Sequence, residues 1–268
     1  MHEQKELYAS KIFFNAALPL LKVIANDVPS LKAQFDKLTT VLQVSALDPE
    51  AEGGKYATHF IITEGEWETK LNAAHESPDV ELEFKTIEAM NGFFKGKIGP
   101  KTLPKMKGVI KNFSAFKAML MTLLKLSDLT GATQPPKDEE TKTLMVKCFF
   151  YLLSSGISQL NKMGHEGVKD WTSKSPDRVY AFAVDGHPEV AAFIRIKAGK
   201  SRAGRGEYKR AMPFFTLRFN NLDSALGILL SIDDMLEATK AGRLIMDGGP
   251  EFGAQLGGFM LEVGDLAK

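Results

Sequence analysis

Residues 80–94 read VELEFKTIEAMNGFF, and residues 215–229 read FTLRFNNLDSALGIL. The two stretches match in order and in chemistry. Leu82 falls on Leu217, Phe84 on Phe219, Ile87 on Leu222, Glu88 on Asp223 and Gly92 on Gly227, each pair 135 positions apart. In the first stretch Val80, Leu82 and Phe84 alternate with Glu81 and Glu83, the period of a half-buried strand. Thr86 then offers a side-chain cap for a short helix, Ile87–Lys95, with Glu88 near its positive end. Asp223 holds the same place in the second stretch.

The shift persists outward from this core. Lys11-Ile-Phe-Phe lies over Lys147-Cys-Phe-Phe, and Phe116-Lys-Ala-Met-Leu over Phe252-Gly-Ala-Gln-Leu, both 136 apart. Ser127-Asp-Leu answers Gly264-Asp-Leu, Leu31-Lys32 answers Val168-Lys169, and Phe35 answers Trp171. Four blocks in one order at one shift indicate an internal duplication that spans nearly all of the 268 residues. The polar stretch Gly131–Thr141, with two prolines and a charge cluster, is the joint. The expected units are 1–131 and 138–268.

Each unit begins helical. Ile12, Phe13, Ala16, Leu20, Val23 and Ile24 recur at helical spacing, and Pro19 should kink or restart that helix. A second helix from Pro29 carries Leu31, Phe35, Leu38, Val41 and Leu42, with Asp27 as its cap. Residues 56–63 and the WETKLNA segment form a hairpin about a Glu-Gly turn. Residues 107–113, KGVIKNF, are read as a strand. The unit closes with an amphipathic helix, Phe113–Leu126. In the second unit a hairpin turns at Asp185-Gly186. FFTLRF and GRLIM are strands, and Phe252–Val263 is the closing helix. Gly253, Gly257 and Gly258 weaken that helix by about 1 kcal/mol each relative to Ala, so it must be looser or closely packed. The order is α+β: in each unit a small, mainly antiparallel sheet with helices packed on one face.

Composition narrows the function classes. Thirty-four basic residues balance 33 acidic ones, for a net charge of +1, so no global field draws the chain to nucleic acid. The 44% apolar content suits a folded, soluble chain. No unbroken apolar run reaches the roughly 18 residues of a membrane span, so no integral span is expected. The single Cys148 excludes an internal disulfide and fits a reducing compartment, and the expected location is the cytoplasm. Its apolar helical setting makes it an inert packing thiol.

Chemical motifs fail one by one. Gly199-Lys200-Ser201 lacks the upstream glycine of a phosphate-binding loop, since Ile194 stands there. Ser114-Ala-Phe-Lys117 has none of the companion motifs of the penicillin-recognising enzymes in their required order. His2, His59, His75, His165 and His187 show no helical pairing, so no metal site is expected, and no cofactor. Nucleophile, base and oxyanion donor do not assemble. Glu88 or Asp223 could act as a carboxylate base only with a partner group that the sequence does not offer. A basic run, Lys197, Lys200, Arg202, Arg205, Lys209 and Arg210 against Glu207, suits either a solvated hairpin loop or contact with an anionic group.

The segments VELEFKTIEAMNGFFKGKI (80–98) and KGVIKNFSAFKAMLMTLLKL (107–126), with FTLRFNNLDSALGILLSI (215–232) and AGRLIMDGGPEFGAQLGGFML (241–261), resemble the sterol carrier protein 2 (SCP2-like) lipid-binding domain in two tandem copies. Gly242-Arg-Leu-Ile-Met-Asp-Gly248 fits the family's strand pattern. Lys107-Gly-Val-Ile-Lys-Asn is a compressed form without the closing glycine. The resemblance implies an apolar cavity between sheet and helices for a fatty acid, fatty acyl or sterol-like ligand, with the last helix as a lid. On the first unit the implied lining is Phe93 and Phe94, then Met106 and Ile110, then Phe116, Met119, Leu120 and Leu123 of the lid. On the second it is Ile228, Leu229 and Leu236, then Phe252, Leu256 and Phe259. Met and Phe suit an adaptable pocket, and at helical spacing they equally suit a solid core. The Met- and Phe-rich first unit is expected to hold the larger cavity. The expected function is non-enzymatic lipid binding or transfer, with a transient membrane or protein partner. The alternative is an accessory protein whose units serve protein contacts without lipid.

Overall fold

The strand Val80–Phe84 pairs in parallel with Thr39–Leu47, part of which the periodicity assigns to a helix. The computed structural model describes residues 2–267 and divides into two units, the first built on residues up to Asp128 and the second on Leu129–Leu266.

In the first unit, helix α1 (Gln4–Ile12) runs into a wide turn of π-helix, Phe13–Ala17, and restarts as α2 (Leu20–Asp27) just after Pro19. The proline lacks the donor that a continuous helix would need there. Helix α3 (Pro29–Phe35) follows, and Val28, not Asp27, is its cap. The helix then stops, and Leu38, Val41 and Leu42 belong to the approach and body of β1 (Thr39–Leu47). The helical spacing of those three residues is real but is overridden by tertiary pairing. Strands β2 (Lys55–Thr63) and β3 (Glu66–Lys70) form the expected hairpin, with Glu64 and Gly65 both at positive φ. Then come β4 (Val80–Phe84), α4 (Ile87–Phe94), β5 (Lys105–Lys107) and α5 (Phe113–Thr130). Strand β5 ends where the KGVIKNF strand was expected to begin. Gly108 turns the chain at φ 73, and a Cβ there would overlap the Asp79 carbonyl. The sheet order is β3-β2-β1-β4-β5, antiparallel except for β1 with β4.

Leu42, Val44 and Ala46 share one sheet face with Phe60, Leu82 and Phe84, and all are buried. The opposite face carries Gln43, Ser45, His59 and Glu81, which are buried polar groups. Both faces of β1 are therefore inside, which is why it shows no alternation of apolar and polar residues.

The second unit has the same order of elements. Helix α6 (Glu139–Lys162) is unbroken, and α7 (Glu166–Lys174) follows. The strands are β6 (Arg178–Val184), β7 (Ala192–Lys197), β8 (Lys200–Arg205), β9 (Phe215–Phe219) and β10 (Leu244–Asp247). Helices α8 (Leu222–Leu229) and α9 (Met235–Lys240) separate the last two strands, and α10 (Pro250–Ala267) closes the unit. The order β10-β9-β6-β7-β8 is that of the first unit, with β6 and β9 as the parallel pair. Lys200–Arg205, read from sequence as a loop, is the edge strand β8. The cap positions match as well: Thr86 Oγ1 accepts from the Ala89 N–H, and Asn221 Oδ1 from the Ser224 N–H.

Two stretches, Gln4–Asp27 and Glu139–Lys162, are long and apolar enough to cross a membrane by length and composition, with mean hydropathies of 1.4 and 1.2. In both, 78% of the window is buried within the structure. Cys148 is buried on α6.

Candidate functional site at the helix-side edge of each sheet

The expected lining residues fall into three groups. Met119, Leu123 and Leu256 are buried. Phe93, Phe94, Phe116, Ile228, Leu229, Phe252 and Phe259 are half-buried. Met106, Ile110, Leu120 and Leu236 are exposed, at 59%, 97%, 41% and 62%.

In the first unit Phe93 and Phe94 gather at the end of α4. Phe93 and Phe94 lie against Phe84 of β4 with ring centroids 5.5 and 5.7 Å away, and Phe94 meets Phe13 at 3.9 Å. Phe84 was visible in the alternation of β4, but the π-turn that brings Phe13 here was not. Met106 stands opposite Leu82, so it extends this apolar face to the sheet edge. Ile110, at the turn after β5, is outside it in solvent.

The second unit builds the equivalent place differently. Met246 stands opposite Leu217 as Met106 does opposite Leu82. Met246 is half-buried against α10: a Cβ added at Gly253 would overlap its sulfur, and one at Gly257 would come within 3.0 Å of the Met235 sulfur. The glycines of α10 thus let the helix lie directly on the edge. Phe252 meets Tyr180 and Phe214 at 6.3 and 4.9 Å, and Arg178 stacks 3.7 Å from the Phe214 ring centroid. Phe259 meets Trp171 at 5.1 Å.

Strand β5 is only three residues long, and a charge network on the far face holds it. Lys107 reaches Glu81 at 2.9 Å and also pairs with Glu83. Lys55 reaches the same two carboxylates at 3.0 and 3.4 Å. Gln43 and Ser45 each donate to Glu81 at 2.7 Å. Burial pushes the Glu81 carboxyl up, but the bonds from Ser45, Lys107, Gln43 and Lys55 outweigh it and bring it down to about 2.

The two carboxylates considered as bases are both engaged. Glu88 pairs with His2 Nδ1, and Asp223 with Lys142 at 2.7 Å. His2 Nε2 also lies 3.1 Å from Asp48 Oδ2. His2, Asp48 and Glu50 bring one imidazole and two carboxylates together, a donor set able to hold a metal ion, which histidine spacing alone did not reveal. On the second unit, an open groove of about 390 Å³ on the β7–β8 hairpin is lined by Arg195, Lys197, Lys200, Ser201 and Arg202, among others. Asp177 pairs with Arg195 there at 2.7 Å. This groove belongs to the basic run and is distinct from the apolar cavity expected of either unit.

No family model matches the sequence, and no curated protein does. Among solved structures, the chain is similar to a conserved hypothetical protein from Thermus thermophilus described as possibly a sterol carrier protein, with 20% identity over 43% of this chain and 86% of that one (TM-score 0.30). It is also similar to a UbiJ-SCP2 ubiquinone synthesis protein, 18% identical over 44% and 96% of the two chains (TM-score 0.28). A sterol carrier protein 2 is 18% identical over 43% and 96% (TM-score 0.28).

Proposed function

We propose that the protein binds a lipid, as a non-enzymatic carrier of fatty acyl or sterol-like molecules, and that the first unit takes the ligand at the Met106 edge. The observation that carries this reading is the contrast between two equivalent methionines. Met246 is half-buried, with α10 packed on its sulfur at Gly253, whereas Met106 is 59% exposed beside the half-buried Phe93 and Phe94. An apolar face that continues from a core to an open edge can accept a hydrocarbon chain there. Burying about sixteen methylenes yields roughly 13 kcal/mol, and association costs of about 5 kcal/mol leave enough for binding near the micromolar range. The reading also rests on the resemblance stated above. The single, buried Cys148 suits work in the cytoplasm.

The test is a fluorescence titration of the intact protein with a naturally fluorescent polyene fatty acid, together with mass spectrometry of solvent extracts. Low-micromolar saturable binding that Phe94→Ser weakens at least about tenfold is expected, given the 1.5 to 3 kcal/mol that a buried aromatic supplies. Extracts without lipid, combined with no saturable probe binding, would sink the reading and favour the accessory-protein alternative.

A further inference from the structure

The stretch from 89 to 127 contains eight lysines and not one acidic residue. Since the whole chain has a net charge of +1, everything outside this stretch sums to −7. The equivalent stretch of the second unit, 224–264, reverses the sign, with six acidic residues against Lys240 and Arg243. Within the lysine stretch, large apolar side chains stand in solvent between the charges: Ile98 at 70%, Leu103 at 50%, Met106 at 59%, Ile110 at 97% and Phe113 at 63%. Lys97, Lys101, Lys105, Lys111 and Lys117 are exposed among them, while Lys107 turns to Glu81 and Glu83.

We infer that this segment, from the end of α4 through β5 to the start of α5, is a docking surface for an anionic phospholipid bilayer. Exposed isoleucine, methionine and phenylalanine between lysines match what an interface requires: apolar tips enter the acyl boundary while ammonium groups stay among the phosphates. The uniform sign selects the occupant, because an uncharged apolar partner would gain nothing from the lysines. The inference deepens the proposed function and rests on it for its purpose, since the edge that admits a hydrocarbon chain is the edge that would meet the membrane.

Flotation of the full chain with phosphatidylcholine vesicles, and with vesicles containing one-quarter phosphatidylglycerol, tests it. Binding to the anionic vesicles only is expected, with release at high salt. Each lysine contributes about fivefold at such a surface, so K101Q/K105Q/K111Q should bind about 100-fold more weakly. I110S/F113S should lose at least about tenfold from its lost apolar insertion. Both variants change only exposed side chains, and I232S/L261S, on exposed residues of the second unit, should bind as the parent does. Failure of the parent to float, equal binding to neutral vesicles, or unchanged binding in both first-unit variants would overturn the inference. So would a dimer in sedimentation velocity that I110S/F113S dissolves without any vesicle binding, since the face would then serve a second copy. The fatty acid titration without vesicles separates the two proposals. Normal probe binding with failed flotation leaves the carrier standing and removes the bilayer.

Discussion

Replacing Glu81 by Gln tests whether the charge network on the far face of the first sheet holds β5, and with it the Met106 edge. Glu81 is 2% exposed and receives bonds from Gln43, Ser45, Lys55 and Lys107. Its carboxyl falls from an ordinary 4.5 to about 2 in the folded protein. That drop corresponds to about 3 kcal/mol of preference for the ionised form, and screening at the partly exposed Lys107 leaves about 2 to 3 kcal/mol. The folded value lies below the unfolded one. The contribution is therefore complete above the unfolded value of 4.5 and fades as pH falls from there toward 2. At pH 7 E81Q should be less stable than the parent by about 2 to 3 kcal/mol, and by roughly half that at pH 3. Urea denaturation followed by Trp67 fluorescence measures this, in a Trp171→Phe background so that only the first unit reports. Trp67 is a suitable reporter because it is buried against Phe35 and Phe60, with ring centroids at 4.7 and 5.4 Å. A gap below about 1 kcal/mol at pH 7, or one that stays constant down to pH 3, would refute the assignment of β5's anchorage to an ionised Glu81.

Three further perturbations probe the two units. The hydrogen bond to Glu88, and next the contact with Asp48, raise His2 above its ordinary 6.5; the stability this gives is complete below 6.5 and is lost as pH rises through the folded value, so first-unit urea midpoints should fall from pH 6 to pH 8 in the parent and change less in H2Q. Gly156 of α6 faces Val263 of α10 so closely that an added methyl would overlap it, so G156A should cost about 1 to 3 kcal/mol in second-unit stability, and G156A/V263A should recover most of it in melts followed by Trp171 fluorescence. G253K should lift α10 from Met246, cost about 1 to 3 kcal/mol, and raise binding of an apolar dye; unchanged dye binding would show that the glycine does not seal the edge.

What the sequence revealed and what it hid follow from where polarity lies. The β4 and β9 stretches were legible because each has one face in the core and one that carries charge. The charges themselves are exchanged between units. Glu81 faces Lys107 in one register, and Thr216 faces Asp247 in the other, where Arg218 instead collects Asp185 and Asp247. β1 was hidden because Gln43 and Ser45 are polar yet buried, satisfied by a carboxylate nearly forty residues away. No local period records such a partner. β8 was hidden for the opposite reason, since Lys200–Arg205 is an edge strand whose polar composition reads as a loop.

The difference between the two candidate sites was nevertheless written in one aligned pair. Lys117 follows Phe116 in α5 where Gly253 follows Phe252 in α10. A glycine at that place allows the closing helix to lie against the edge methionine, and Met246 is half-buried there. Lys117 is exposed, and Met106 is exposed with it. Lys117 also belongs to the cationic stretch around the Met106 edge. The first unit thus sets an exposed edge methionine within a cationic stretch, and the second sets a half-buried one within an acidic stretch.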